Sequence, residues 1–137
     1  MIRKILLPLD HTDPRSWKKG LPVALEQARF HGAELHAISV IPEIIRLPNL
    51  PANYGAGAKD HVAGILRKVL DEHDAGDVPL VVAQGSVYRE VLKHATREQF
   101  DMIVLASAQG AAPHFEIGPH LAQIVRYAHC SVLVVRD

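Results

Sequence analysis

The residues of this chain that are best suited to bind a ligand lie in one stretch, from Ala106 to Pro119. Glycines such as Gly118 let a backbone approach a ligand closely, and free N–H groups at the start of a helix complement negative charge. Because a helix is predicted directly after this stretch, the sequence predicts an anion-binding loop. His114 lies within this stretch and His120 follows it, and they either supply positive charge there or are ordinary surface histidines.

No other group of residues forms a catalytic or metal-binding pattern. The histidines lack both the HExxH spacing and a Cys/His zinc spacing, and they are predicted to be solvated or half-buried. Cys130 has no His/Asp arrangement that would make it a nucleophile, so it is predicted to be a buried packing residue. We therefore predict no catalytic residues and no metal site. The nine histidines are His11, His31, His36, His61, His73, His94, His114, His120 and His129.

The composition favours a globular protein of one domain and argues against a nucleic-acid binder and a membrane protein. The 137 residues are 48% hydrophobic, which is typical of a globular chain, and we expect one domain over residues 1–137. Fifteen basic residues balance fifteen acidic ones, so the basic surplus of a nucleic-acid binder is missing. No stretch approaches the roughly 20 apolar residues that span a bilayer, which argues against a membrane protein. The single cysteine, Cys130, cannot form an internal disulfide, and this favours the cytoplasm.

Apolar runs alternate with amphipathic segments along the whole chain. Short continuous apolar runs are typical of parallel strands that are covered on both faces. Five strands in alternation with four helices predict an α/β fold with a doubly wound parallel sheet and helices on both faces. The predicted strands are Arg3–Leu9, Glu34–Ile41, Val78–Ala83, Asp101–Ser107 and Ser131–Arg136.

Four local signals refine this pattern. The first helix is predicted to end at Gly32, and Pro22 within it predicts either a kink or a helix that begins only just before it. The segment from Pro42 to Gly57 contains three prolines and two glycines, so a long loop is predicted there. Ser86 is predicted to cap the helix that carries Val87 and Val91.

Several segments resemble the universal stress protein family. They are Ile5 to Asp10, Ser39 to Pro42, Asp101 to Ser107 with the later Gly118, and His129 to Arg136. The resemblance implies a five-stranded parallel sheet of order 3-2-1-4-5, a Rossmann-like fold of the adenine nucleotide alpha hydrolase-like type. In that order the winding reverses between the first and fourth strands, which is where open α/β sheets bind ligands.

Many family members carry the motif G-x2-G-x9-G-[S/T], which holds ATP phosphates. This chain departs from it: Ala106 and Gln109 replace the first two glycines, Pro119 replaces the final hydroxyl residue, and the loop is one residue shorter. A subgroup that begins Ala-Ser-His-Arg is more similar, but Ala108 and Gln109 stand in place of its His and Arg. Pro119 also suits the first position of a helix, so a stabilised loop that no longer binds phosphate is the alternative interpretation.

The resemblance implies a nucleotide site at the strand ends. Two residues of this site have an alternative, purely structural role: Asp10 could instead cap a turn, and Val40 could belong to the core. The candidate nucleotide-binding residues are Pro8, Leu9, Asp10, Val40, Leu105, Ala106, Ala108, Gln109, Gly118, Pro119, His120 and Leu121.

Three functions follow from the resemblance. The first is a stress-response regulator that binds ATP or another adenine nucleotide weakly, with magnesium and with at most very slow turnover. The second is a nucleotide-free interaction protein. The third, an enzyme or flavin-binding relative, rests on fold analogy alone. A homodimer is expected through the apolar strand Ser131–Arg136, and a regulatory protein partner of unknown identity is also expected.

Overall fold

The structure, a computed structural model, describes residues 1–43, 54–107 and 119–136, without the side chains of Tyr54, Ala56 and Pro119. Strands and helices alternate along these residues, except where two helices follow one another. No helix in the described ranges is both long and apolar enough to cross a membrane. The elements are β1 Lys4–Pro8, α1 Arg15–Lys18, α2 Gly20–His31, β2 Glu34–Ile41, α3 Tyr54–Glu72, β3 Leu80–Gln84, α4 Val87–Arg97, β4 Met102–Ala106, α5 Pro119–Tyr127 and β5 Ser131–Val135.

The five strands form one parallel sheet in the order β3-β2-β1-β4-β5. The central strand β1 pairs with β2 on one side, with Ile5 opposite Leu35, and with β4 on the other, with Ile5 opposite Met102. The predicted fold class and strand order are therefore confirmed. As that order implies, the last strand lies at an edge: within residues 1–43, 54–107 and 119–136, β5 pairs with β4 and with no other strand.

Two hydrophobic cores lie on opposite faces of the sheet, because successive side chains of a strand point to opposite sides. On β1, Ile5 and Leu7 pack with α2 and α3, whereas Leu6 packs with α4 and α5. The buried helix residues of the first core are Leu21, Ala24, Val62, Leu66 and Leu70. Those of the second core are Val91, Ala95, Leu121 and Ile124.

The N-terminal ends of β1 and β4 are tied together by a carboxylate. The Asp101 carboxylate accepts hydrogen bonds from the backbone N–H groups of Arg3 at 2.8 Å and Lys4 at 3.0 Å. These two bonds hold the pKa of Asp101 below its ordinary value. The prediction of a strand from Asp101 to Ser107 was two residues too long, because β4 begins at Met102 and ends at Ala106.

The helix signals near the N-terminus are confirmed with one correction. Gly32 ends α2 in the left-handed conformation, with φ 62°, as predicted. Pro22 lies in the first turn of α2, so the helix begins just before it and no kink is needed. The correction is that the predicted single helix is divided at Lys19 into α1 and α2.

Two other boundaries were predicted wrongly. Of the segment that was predicted to be a loop up to Gly57, residues 44–53 lie outside the described residues, and the part from Tyr54 onward belongs to α3. The third strand begins at Leu80 and not at Val78, because the Val78 backbone is held in a turn: its N–H donates to Ala75 and its carbonyl accepts from the Arg67 guanidinium. Ser86 does occupy the N-cap position of α4, but its side chain makes no capping hydrogen bond there.

Candidate functional site

A cavity of about 460 Å³ lies at the carboxyl ends of β1, β2 and β4, on the face of the sheet that α4 and α5 cover. This volume falls within the range of small-molecule binding sites. Because β2 and β4 flank β1 on opposite sides, the cavity lies where the winding of the sheet reverses. The loop between β1 and α1 forms its polar side.

The structure brings eight of the twelve candidate residues together around this cavity. Ala108, Gln109 and Gly118 lie outside the described residues, as does His114. Pro119 is the first residue of α5, and its side chain is not described. The eight lining residues are Pro8, Leu9, Asp10, Val40, Leu105, Ala106, His120 and Leu121. Their role in nucleotide binding stays a prediction.

The floor of the cavity is apolar. Ile38 and Val40 are two residues apart on β2, so their side chains point to the same face of the sheet. Leu105 of β4 and Leu121 of α5 are both nearly buried and complete this surface. An apolar floor of this kind suits the flat face of an aromatic ring.

Asp10 fills the structural role that the sequence offered as its alternative. One carboxylate oxygen, Oδ1, accepts hydrogen bonds from the backbone N–H of Thr12 at 2.9 Å and from its hydroxyl at 2.6 Å. The backbone N–H of Asp10 donates to the hydroxyl of Ser16 at 2.9 Å. Asp10 also lines the cavity and is exposed to solvent. It therefore shapes the turn after β1 while its charge remains at the mouth of the cavity.

An ion pair stands beside Asp10 at the start of α1. The Arg15 guanidinium donates from Nε to Oδ1 of Asp13 at 3.0 Å and from Nη2 to Oδ2 at 3.1 Å. The backbone N–H of Arg15 also donates to Oδ1, at 3.0 Å. The side-chain hydrogen bonds from Arg15 are the main cause that lowers the pKa of Asp13, and the same contact raises the pKa of Arg15.

Sequence reasoning missed part of the wall. It did not identify Thr12, Asp13 or Arg15, although Asp13-Pro14 is a typical start of a helix and predicts a turn after β1. It also missed Val87 and Val91 of α4, which line the cavity from above the sheet. Their amphipathic spacing predicted the helix, but nothing in the spacing showed that this helix covers the strand ends.

An aromatic pair lies at the rim. His120 is exposed at the start of α5, and its ring centroid is 6.2 Å from that of Tyr88 on α4, with the planes tilted by 34°. The Tyr88 hydroxyl in turn accepts a hydrogen bond from Nε of Arg89 at 3.0 Å. The imidazole of His120 belongs to the cavity lining, and Tyr88 contacts it from outside that lining.

Of the other residues that the sequence singled out, His11 also lines the cavity, whereas Cys130 and His94 lie away from it. Among residues 1–43, 54–107 and 119–136, no three His, Cys, Asp or Glu side chains converge as a metal site would require. Cys130 is half-buried and packs against the second core, and burial raises the pKa of its thiol. His94 is nearly buried on α4, with its ring centroid 5.5 Å from that of Phe100.

Comparison with known proteins agrees with this architecture. The model of the universal stress protein family matches residues 1–136. Universal stress protein UspA from Lactobacillus plantarum is 21% identical, with 98% of this chain and 97% of that chain covered and a TM-score of 0.76. A universal stress protein family member from Burkholderia pseudomallei is 21% identical, with 96% and 94% covered and a TM-score of 0.64. A universal stress protein in complex with cAMP is 18% identical, with 98% and 97% covered and a TM-score of 0.67.

Proposed function

Since the chain belongs to the universal stress protein family, we propose that it is a stress-response regulator that binds an adenine nucleotide weakly. The cavity between the ends of β1 and β4 is the observation that carries this proposal. It lies at the switch point of the sheet, where open α/β proteins bind their ligands. One structural relative is described in complex with cAMP, which is itself an adenine nucleotide.

The shape and lining of the cavity support an adenine base. Val40, Leu105 and Leu121 offer apolar surface to the faces of a purine, and the polar β1–α1 loop offers hydrogen-bonding groups at one side. Ligand sites typically combine a mostly apolar lining with a few polar groups that fix orientation. In this proposal the base packs on the floor, and the sugar lies towards Asp10 and Ser16.

We infer binding without efficient turnover. Phosphoryl transfer requires a metal-held phosphate and a positioned water. The carboxylate of Asp10 already accepts two hydrogen bonds from Thr12, and that of Asp13 holds Arg15. The polar groups at the mouth thus have structural partners within the protein, which favours a sensor over a catalyst. A cytoplasmic location is part of this proposal and rests on the single cysteine.

Val40→Phe tests the location of the site. Val40 is half-buried at the cavity wall, so a phenyl ring there would occupy the space of the base. We expect isothermal titration calorimetry to show at least about tenfold weaker binding of adenosine and AMP. The matched control is Val81→Phe, because Val81 lies on the neighbouring strand β3, is 41% exposed and does not line the cavity. Equal affinities of the parent and Val40→Phe would place the site elsewhere.

Failure of the parent to bind any adenine compound would favour the second candidate function, a nucleotide-free dimeric interaction protein. The edge strand β5 supports that alternative, since its side chains from Val132 to Val135 are apolar and remain partly accessible. Mass spectrometry of small molecules released from protein purified without added nucleotide would separate the two functions. A released adenine compound supports the regulator, and its absence together with a dimer supports the interaction protein.

A further inference from the structure

The charges around the cavity are unusual for a site that would hold a polyphosphate. Asp10, His11, Asp13, Arg15 and His120 are the ionisable residues of its described lining. Two carboxylates face a single guanidinium, so the lining carries one net negative charge when the histidines are neutral. A triphosphate needs a lining of net positive charge, because its binding depends on positive charge and on hydrogen-bond donors directed at its oxygens.

The Arg15 guanidinium is already paired with the Asp13 carboxylate. Arg15 makes a bidentate pair with Asp13, a geometry in which both partners form charge-assisted hydrogen bonds. For Arg15 to turn to a phosphate, this pair would have to break, and the Asp13 carboxylate would lose both hydrogen bonds from the guanidinium and keep the one from the backbone N–H of Arg15. Arg15 therefore supplies little of its charge to a ligand while α1 keeps its observed structure.

The Asp10 carboxylate adds repulsion at the mouth. It is exposed and faces the cavity, and its observed side-chain partner is the uncharged Thr12. A negative group that enters beside Asp10 meets a like charge, and each further phosphate increases that repulsion. A neutral ribose hydroxyl, by contrast, can donate a hydrogen bond to the same carboxylate.

The sequence between β4 and α5 adds no permanently positive side chain. Residues 108–118 contain neither lysine nor arginine. Pro119, which begins α5, has no N–H to offer an anion. The lack of lysine and arginine and the missing N–H both disfavour a phosphate, as does the net negative charge of the described lining.

From this charge balance we propose that the cavity selects adenine ligands of low charge, a nucleoside or a cyclic monophosphate, and discriminates against ADP and ATP. The inference rests on the proposed function and makes it more specific. Affinity should decrease in the order adenosine, cAMP, AMP, ADP, ATP, since each step adds negative charge. The apolar floor recognises the base that all five share.

Calorimetry with these five ligands, with and without magnesium at fixed ionic strength, tests the order. We expect adenosine to bind at least about tenfold more tightly than ATP. ATP that binds as tightly as adenosine, with or without magnesium, would overturn the inference but would leave adenine binding established. If Val40→Phe abolishes binding of a ligand, that ligand occupies this cavity. If none of the five binds the parent, the proposed function fails and this inference fails with it.

Salt dependence gives a second measurement that needs no variant. Salt screens repulsion as well as attraction. If the mouth repels phosphates, ATP should bind more tightly as ionic strength rises, whereas a cationic phosphate site would bind ATP less tightly. A fall in ATP affinity with added salt would contradict the inference.

Asp10→Asn removes the repulsive charge and keeps an acceptor oxygen, now that of an amide, for the two hydrogen bonds from Thr12. We expect the ratio of ATP affinity to adenosine affinity to rise by about three- to tenfold. Asp60→Asn is the matched control, because Asp60 is exposed on α3 and does not line the cavity. A lower ratio for Asp10→Asn in the presence of magnesium would show that this carboxylate helps to hold a metal-bound phosphate, and it would overturn the inference.

Discussion

Pro119 is the residue at which a small change should most alter phosphate binding. It is the first residue of α5, and proline has neither an N–H nor a hydroxyl to offer an anion there. We expect Pro119→Ser to tighten ATP binding by up to ~100-fold, because two hydrogen-bond donors to a charged group are gained. The gain should be much smaller for adenosine, which carries no phosphate. Titration calorimetry on both proteins with magnesium present measures the difference.

The same substitution should slightly destabilise the ligand-free protein. Proline suits the first position of a helix and restricts the unfolded chain, so serine loses both advantages. Thermal unfolding of the two proteins without ligand checks this. If Pro119→Ser binds ATP no better than the parent, the missing donors at residue 119 are not what limits phosphate binding. If adenosine does not bind either protein, the nucleotide-free interpretation replaces the regulator.

His94 should make the folded protein sensitive to acid. Its side chain is only 8% exposed, and Nη2 of Arg97 lies 3.4 Å from its Nδ1. Burial is the main cause that lowers the pKa of His94, and the charges of Arg97, His36 and Lys4 act in the same direction against Glu98. The folded state therefore favours the neutral imidazole.

The sign of the pH dependence follows from this direction. The unfolded chain binds the proton first, near its ordinary pKa of about 6.5, so the free energy of unfolding is highest above that pH and decreases as the pH falls towards the lower folded pKa. One proton gives a slope of at most about 1.4 kcal/mol per pH unit. We expect His94→Gln to reduce this slope in urea denaturation between about pH 7.5 and 5.5. His61→Gln, at an exposed position on α3, should leave it unchanged; equal slopes for all three proteins would contradict the prediction.

At the scale of elements, replacing glycine by alanine should change the free energy of unfolding in opposite directions in two helices, α2 and α3. Gly32 ends α2 with φ 62°, and a Cβ added there meets nothing within 4 Å, so Gly32→Ala costs only backbone strain. We expect it to lower the free energy of unfolding by about 1–2 kcal/mol. Gly64 lies inside α3, also with nothing within 4 Å of an added Cβ, and Gly64→Ala should raise it by about 0.5–1 kcal/mol. Chemical denaturation measures both, and changes of the same sign would refute this account.

The elements also show what local sequence determines and what it does not. Apolar runs located β1 and β2 well, and Gly32 marked the end of α2, because these signals act within a few residues. The start of β3 was missed because contacts from Arg67, more than ten residues earlier in the chain, hold the carbonyl of Val78 in a turn. Tertiary hydrogen bonds of this kind leave no periodic signal.

The residues of the candidate site also divide into those that local sequence predicts and those that depend on tertiary contacts. The strand-end residues Asp10 and Leu105 could be predicted to lie together, since parallel strands bring their carboxyl ends to one edge of the sheet. Val91 and Arg15 could not, because their positions depend on how α4 packs over those ends and on the ion pair with Asp13. The sequence therefore predicted which strand ends form the cavity. It did not predict which charged side chains line it or how they pair.

At the scale of the whole molecule, the sheet has two apolar edges. The β3 edge has four successive apolar residues, Leu80 to Ala83, before Gln84, and Val81 there is 41% exposed. The β5 edge has four successive apolar residues, Val132 to Val135, all of them partly accessible. An apolar edge strand presents unpaired backbone N–H and C=O groups that another chain can pair with unless they are covered. We propose that a second copy covers this edge through a two-fold contact, which closes the assembly at a dimer.

Val134→Lys tests this dimer. Val134 is half-buried on β5, opposite Leu105 of β4, so a charge there would enter the proposed contact between copies. We expect sedimentation velocity to show a shift from dimer towards monomer, because an unpaired ammonium is costly to bury in an apolar interface. The matched control is Val81→Lys, which places the same charge on the opposite edge strand and should leave the dimer intact. Circular dichroism must show that both variants keep the parent's secondary structure. A parent protein that is already monomeric at high micromolar concentration, or a Val134→Lys variant that remains as dimeric as the parent, would contradict pairing through β5.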